Sequence, residues 1–280
     1  MQTRTIALIT AAVLALAGGA AWWFTRGQPA PRPPRAQAPA ASPAPATPPA
    51  ATPPLAEAGP EHPIEPEPAA SAAPLPALAD SDALLGQALA GLVGRSGVLT
   101  FLATDGFVRR VVVTVDNLAR GMAASRLWPV QATPGRLQLL AAGDAQLIGA
   151  DNARRYQPFV AFVASVEPSQ AAALYRRLYP LFQQAYVELG YPKGHFNDRL
   201  VEVIDHLLAA PEPARPPAVA LVEVKGEVPS TRPWVRYEYT DPALEALSSG
   251  QKIMVRVGLA NERRLKGWLA GFRQAVAAQR

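Results

Sequence analysis

Residues 169–208 read SQAAALYRRLYPLFQQAYVELGYPKGHFNDRLVEVIDHLL and predict two amphipathic helices joined by a short turn. In both helices the apolar side chains recur at intervals that place them on one face. Tyrosines border the apolar face of the first helix: they are Tyr175, Tyr179 and Tyr186. We expect this helical pair to form the centre of one folded domain.

Prolines, a glycine and two polar residues mark the ends of these helices. Pro168 suits a first turn, where its missing N–H costs nothing, and Gly190 is a natural C-terminal stop. Pro180 removes one hydrogen bond inside the first helix, so we expect it on the water-facing side. Asn197 or Asp198 is predicted to cap the second helix.

Residues 105–121, DGFVRRVVVTVDNLARG, carry two conflicting signals. The β-branched run over 111–115 favours a strand. The apolar residues nevertheless fall at helical spacing, between Asp105 as a possible cap and Gly121 as a possible stop. We predict a helix in this segment.

The pattern over residues 80–280 predicts a single α+β domain, mainly α-helical with a short antiparallel sheet. A hairpin is expected over 136–148 around Gly143, and alternation predicts two strands, 219–224 and 234–239, that pair. The segment 98–103 suits either a strand or a helical turn. Further helices are predicted over 81–93, 152–166 (beside the central pair), 251–257 and 261–278, with a short one starting at Asp241.

The N-terminal residues 1–25 are predicted to be a membrane anchor. Residues 6–24, IALITAAVLALAGGAAWWF, carry no charge and span about 28 Å as a helix, which is close to the thickness of the hydrocarbon core. A cleaved signal peptide with Ala15, Leu16 and Ala17 at its cleavage site is the alternative. We favour an uncleaved signal-anchor, because the apolar run continues through two tryptophans.

The side of the membrane on which the domain lies is less directly encoded. Arg26, Arg32 and Arg35 follow the anchor, and the positive-inside rule alone would leave them in the cytoplasm. We expect export instead, since anchors of this form act as uncleaved signal sequences and are often followed by linkers of this composition. We therefore predict a single-pass membrane protein whose domain is exported; if the chain is bacterial, as the resemblance given below implies, the anchor lies in the inner membrane and the domain in the periplasm.

Residues 26–79 are a predicted linker of low complexity, rich in proline and alanine. Of the 30 prolines in the chain, most fall before residue 80. Such a segment lacks the apolar side chains to form a core, so we predict that it is disordered and extended.

Composition excludes several classes of function. The chain has no cysteine, which rules out disulfides, thiol catalysis and cysteine-based zinc sites. Its formal net charge is +5, but no run of Lys and Arg typical of nucleic-acid binding occurs. Glycine-rich nucleotide loops and the G-x-S-x-G nucleophile motif are absent. We therefore expect no cofactor, no metal and no nucleic-acid partner.

The best candidate for a binding surface is the aromatic strand WVRYEY over 234–239, because arginine and aromatic side chains anchor many interfaces. It could line a groove together with the tyrosine edge of the central pair. The candidate binding residues are Arg232, Trp234, Arg236, Tyr237, Glu238, Tyr175 and Tyr179.

Two groups resemble catalytic arrangements. Ser249 and Lys252 match the S-x-x-K pattern, but its companion motifs are missing, and we predict a capping serine and a solvated lysine. One face of the second central helix carries four titratable residues: Asp198, Glu202, Asp205 and His206. We predict a charged surface there, with Glu202 paired to Arg199 or His206, and assign no catalytic residue.

Six blocks of the sequence resemble one family: VVVTVDNLARG, RLWPV, YPLFQQAYVELGY, FNDRLVEVIDHLL, RPWVRYEY and GQKIMVRVG. Over about residues 80–280 the chain is similar to the domain of unknown function 3014. The resemblance implies a bacterial protein with an N-terminal anchor, a low-complexity spacer and this domain. It transfers no functional residue.

These observations predict a membrane-tethered, non-catalytic binding or scaffolding protein of the cell envelope. Its partner would be a protein or a cell-envelope polymer. The alternative is an envelope enzyme that acts on peptidoglycan or a related polymer.

Overall fold

The computed structural model describes residues 59–64, 74–222 and 236–277, which are mostly helical with a small antiparallel sheet. The predicted anchor at 6–24 and most of the predicted linker lie outside these residues. The described helices are α1 (Asp82–Phe101), α2 (Phe107–Leu118), α3 (Ala150–Ala164), α4 (Pro168–Glu188), α5 (Phe196–Leu208), α6 (Pro242–Glu245), α7 (Ser249–Arg256) and α8 (Leu259–Val276). The strands are β1 (Leu139–Ala142), β2 (Ala145–Ile148), β3 (Ala218–Leu221) and β4 (Tyr237–Tyr239).

Helices α4 and α5 confirm the predicted central pair. The apolar face of α4 packs against α2, α5 and α8, and it buries Leu178, Leu181 and Phe182. Phe196, at the start of α5, is fully buried and stacks on the ring of Phe182 with the centroids 5.9 Å apart. Pro180 lies inside α4 and is exposed, as its missing hydrogen bond requires.

The predicted caps of α5 are wrong. His195 is the N-cap residue of α5. Asn197 is fully buried and bonds to distant parts of the chain, and the Asp198 carboxylate accepts hydrogen bonds from the backbone N–H groups of Glu61 and His62. The two side chains that the sequence predicted as caps therefore form hydrogen bonds with residues far away in the chain instead.

Helix α1 extends the predicted helix 81–93 and includes residues 98–101 of the ambiguous segment 98–103, whereas Leu102 pairs with Val130 in an isolated antiparallel bridge. Gly94 interrupts it with φ 75°, a conformation that favours glycine. By length and composition, α1 is the one helix in the described ranges that is apolar enough to cross a membrane, with a mean hydropathy of 1.3. Soluble core helices can pass the same test.

Helix α2 forms where the β-branched run competed with helical spacing, so the predicted helix is confirmed. Gly106, rather than Asp105, is its N-cap residue, and the carboxylate of Asp82 accepts the N–H groups of Gly106 and Phe107. Helix α3 also forms, but it packs mainly against α8 rather than beside α4.

The sheet has the order β1-β2-β3-β4, and every neighbouring pair is antiparallel. The hairpin of β1 and β2 and the pairing of β3 with β4 confirm the predictions. The pairing of β2 with β3 was not predicted. It joins the two strand pairs into one sheet, although α3, α4 and α5 lie between them in sequence. A small core of Ile148, Val219, Tyr239 and Val255 lies on one side of this sheet.

Candidate functional site

The predicted aromatic strand is described only in part, because Arg232 and Trp234 lie outside the described residues. Tyr239 faces inward and is buried, and its hydroxyl donates to the carbonyl of Lys252 at 3.2 Å. Arg236 and Tyr237 are half-buried, and Glu238 is exposed. The inward side of β4 therefore belongs to the core of the sheet.

The tyrosines of α4 lie in a different core from the strand. Tyr175 is 8% exposed, and its hydroxyl donates to Asn197 Oδ1 at 3.1 Å. Burial raises the pKa of Tyr175 well above its ordinary value. Tyr179 is half-buried and donates to Gln183 Oε1 at 2.9 Å. The described structure therefore does not place Tyr175 and Tyr179 together with β4.

Ser249 and Lys252 face separate partners. The Ser249 hydroxyl donates to the carbonyl of Asn117 at 3.1 Å, and Lys252 forms an ion pair with Glu245. The predicted cap at Ser249 is wrong by one residue. Ser248 caps α7 instead, accepting from the N–H of Gln251 at 3.2 Å.

The titratable side chains on the acidic face of α5 contact different partners and do not form one site. Glu202 pairs with Arg199 at 2.9 Å, which is the pairing predicted from the sequence, and Asp205 pairs with Arg273. His206 Nε2 lies 2.8 Å from Ser248 Oγ. Within the ranges that the structure describes, no three His, Asp or Glu side chains converge in a way that could hold a metal ion.

A buried ionic network that sequence reasoning missed joins α2 to α5. Asp116 is 5% exposed and accepts from Arg199 Nε at 3.1 Å, Arg120 Nη2 at 2.7 Å and the Tyr191 hydroxyl at 3.1 Å. Asp116 lies on the polar edge of an amphipathic helix, so the sequence did not indicate that this residue is buried. Because its oxygens are satisfied, we assign this network to the fold.

A cavity of about 420 Å³ with aromatic side chains in its wall opens to the surface, and we call it the aromatic groove. Phe101 stacks on Phe162 with the ring centroids 4.6 Å apart and meets Phe159 edge-on at 6.1 Å. The groove is lined by Thr100, Phe101, Gln131, Ala132, Thr133, Pro134, Arg154, Arg155, Pro158 and Phe159. Its wall therefore offers flat aromatic surface between α1 and α3.

A fixed cation borders the aromatic groove. The guanidinium of Arg155 donates to the carbonyls of Pro134 at 3.1 Å and Gly135 at 2.9 Å, and to Asn152 Oδ1 at 2.8 Å. It also lies 5.3 Å from the centroid of the Tyr156 ring. Such bonds remove most of the rotational freedom that a surface arginine would lose on binding.

Comparison with known proteins gives one match. The family described as "Protein of unknown function (DUF3014)" matches residues 107–273, which is more than half of the chain. No curated protein and no solved structure matches the chain.

Proposed function

The chain belongs to the family of proteins of unknown function DUF3014, and from its organisation we propose a membrane-tethered, non-catalytic binding module of the bacterial cell envelope. The apolar residues 6–24 are the proposed inner-membrane anchor. The part of the Pro/Ala linker before residue 59 would let the domain reach about 100 Å into the periplasm when it is extended. The residues just after it, Glu61 and His62, already bond to Asp198 of the domain. A tether of this length suits a protein that meets a partner away from the membrane.

The aromatic groove is the observation that carries this proposal. Its phenylalanine rings and the fixed guanidinium of Arg155 are residue types that dominate the binding energy of protein interfaces. These features favour a protein partner over a polysaccharide.

Site-specific photo-crosslinking tests the proposal in cells that produce the full chain. A photoreactive phenylalanine derivative replaces Thr100 in the groove, or Gln157, an exposed position on α3 outside the groove, as the matched control. We expect one defined adduct from position 100, which Phe159→Ala removes, and none from position 157. Equal labelling at both positions, or no adduct at position 100, contradicts the proposal.

The proposed topology has its own test. Alkaline phosphatase fused after Arg280 is expected to be active, because that enzyme matures only outside the cytoplasm. Activity of a β-galactosidase fusion at the same position would instead place the domain in the cytoplasm.

One observation favours the alternative of an envelope enzyme. The Ser248 hydroxyl and the His206 imidazole, 2.8 Å apart, form the kind of pair that activates a nucleophile. Incubation of the full chain with purified peptidoglycan tests this function. Release of fragments that His206→Ala abolishes would support the enzyme, and an intact polymer supports the binding module.

A further inference from the structure

Strand β1 forms one edge of the sheet and lacks the features that usually protect such an edge. Among the residues that the structure describes, the order β1-β2-β3-β4 gives it a neighbouring strand on one side only. Residues 137–142 read LQLLAA, without charge, proline or glycine, and β1 pairs with β2 in a continuous register. Natural sheets place lysine, proline or bulges at exposed edges, where they prevent pairing with other chains. An edge without them is open to a further strand.

The hydrogen bonds of the sheet show which backbone groups of β1 point away from it. Leu139 lies opposite Ile148, whose N–H donates at 2.9 Å to the carbonyl of Pro217, just before β3. Ile148 therefore bonds on its other side and not to β1. Bonded and non-bonded pairs alternate along an antiparallel ladder, so the N–H and C=O groups of Leu139 and Ala141 face outward. These are the groups to which another strand would bond.

The outer face of β1 carries an exposed apolar side chain beside this edge. Side chains alternate along the strand: Leu137 and Leu139 pack into the small core of the sheet, whereas Gln138 and Leu140 lie on the other face. Leu140 is 58% exposed. A strand that paired with β1 would cover this side chain.

A second copy of β1 is self-complementary at this edge. When Leu139 bonds to Ala141 of the second copy, two-fold symmetry makes Ala141 bond to the second copy's Leu139. Among symmetrical registers, this is the one in which both outward-facing residues of β1 are bonded. Leu140 then lies on the axis and faces its own copy in a non-hydrogen-bonded pair, where side chains are closest.

The charges that flank β1 favour the same register. Arg136 and Asp144 lie equally far in sequence from Leu140, so Arg136 stands opposite Asp144 of the second copy. Both residues are exposed. Opposite charges that face each other across antiparallel strands stabilise the pair, and like charges weaken it. A parallel arrangement of the two strands would bring like charges together instead.

We propose that two copies of this chain pair through their β1 strands and join their sheets into one continuous antiparallel sheet. The two-fold axis passes between the two Leu140 side chains. Because β1 is short, the interface is weak and forms at high local concentration. It does not use the rings of the aromatic groove, so the dimer carries two grooves and binds a partner with repeated sites more tightly than one copy does.

Cysteine cross-linking of the purified full chain tests this interface, since the chain has no native cysteine. Leu140→Cys places two thiols in a non-hydrogen-bonded pair with Cα atoms about 4.5 Å apart, which a disulfide can span. Ala142→Cys is the matched control: it is also exposed, but its symmetry mate lies about 14 Å away along the strands. Oxidation with copper–phenanthroline should give at least tenfold more covalent dimer from position 140 than from position 142.

A mixture of two variants checks the register. In the proposed pairing Ala142 faces Gln138 of the second copy, so Gln138→Cys and Ala142→Cys should cross-link with each other although neither cross-links alone. Equal yields from positions 140 and 142, or no dimer from position 140, overturns the proposal. The same oxidation in lysed cells that produce the chain should give the same dimer. An adduct of Leu140→Cys with a different protein in its place also overturns the proposal.

Two further changes separate edge pairing from other contacts of this face. Ala141→Pro removes an outward N–H but no bond to β2, so the Leu140→Cys dimer should fall at least fivefold. Asp144→Arg sets like charges opposite each other and should lower the yield, and adding Arg136→Asp should restore it. Circular dichroism confirms that each variant is folded. If Ala141→Pro does not fold, the charge exchange alone decides. An unchanged yield in a folded Ala141→Pro variant, or no restoration by the exchange, overturns the pairing.

Discussion

Two buried polar side chains of this domain, Asn197 in α5 and Glu262 in α8, differ in how well their polar atoms are hydrogen-bonded. Asn197 donates to the carbonyls of His62 at 2.8 Å and Val276 at 2.9 Å and accepts from the Tyr175 hydroxyl. Glu262 is as deeply buried, yet its Oε2 has no hydrogen-bond partner among the residues that the structure describes. A buried polar group that is hydrogen-bonded holds elements together, whereas one without a partner lowers the stability of the fold.

Removing Asn197 should give the largest effect on stability. Asn197→Ala leaves the Tyr175 hydroxyl and two carbonyls without their protein partner, so we expect a loss of about 3 kcal/mol in the free energy of unfolding, measured with urea. Tyr175→Phe removes only one of these bonds and should cost about 1 kcal/mol. Equal losses in the two variants would show that Asn197 does not organise the contact.

Adding one methyl group at position 258 should have an intermediate effect on stability. Gly258→Ala forces a positive φ on alanine and a clash with Ala153, which should cost about 2 kcal/mol. Gly267 lies inside α8, and nothing lies within 4 Å of a carbon added there. Gly267→Ala should therefore be neutral or stabilising by up to about 1 kcal/mol. Thermal and urea unfolding measure both, and similar behaviour of the two variants would contradict the packing argument.

Neutralising Glu262 should have the smallest effect, and its size should depend on pH. Burial raises the pKa of Glu262 in the folded protein above its ordinary 4.5, so the folded state binds the proton more tightly than the unfolded chain. Ionisation therefore destabilises the native protein as the pH rises above 4.5 through the folded pKa. We expect Glu262→Gln to gain stability relative to the wild type over that interval, by up to about 1 kcal/mol.

Urea unfolding of both proteins between about pH 4 and 8 measures this difference, since all other titrating groups are shared. Glu212→Gln, whose carboxylate is partly exposed and has a lowered pKa from its bonds to Arg263 and Lys266, should show the opposite trend. A constant difference between the wild type and Glu262→Gln across this range would exclude a titrating carboxylate at Glu262.

Local spacing was a good guide to the elements that bury a continuous apolar face. Helices α4 and α5 were predicted because their core residues recur with the helical period, and α2 formed as a helix despite its β-branched run. Capping was predicted poorly at α5 and α7. A cap needs only one nearby oxygen, and the side chains of Asn197 and Ser249 found distant carbonyls or hydroxyls instead.

The candidate sites were harder to predict. Phe101 ends α1, whereas Arg155 and Phe159 lie in α3. Nothing in the sequence of either helix indicates that the rings of Phe101 and Phe159 meet. Glu262 falls in the first turn of a predicted helix, where an acidic residue is ordinary and usually solvated. Its burial is seen only in the folded domain.

Signals that repeat at fixed spacing along the chain were enough to predict the helical character of the domain, its main helices and its two strand pairs, and matching blocks of sequence indicated its family. Two features became visible only in the folded domain: which buried polar groups have hydrogen-bond partners, and how the strand pairs join into one sheet. Such facts depend on contacts between residues far apart in the chain, and hydrophobic periodicity carries no information about them.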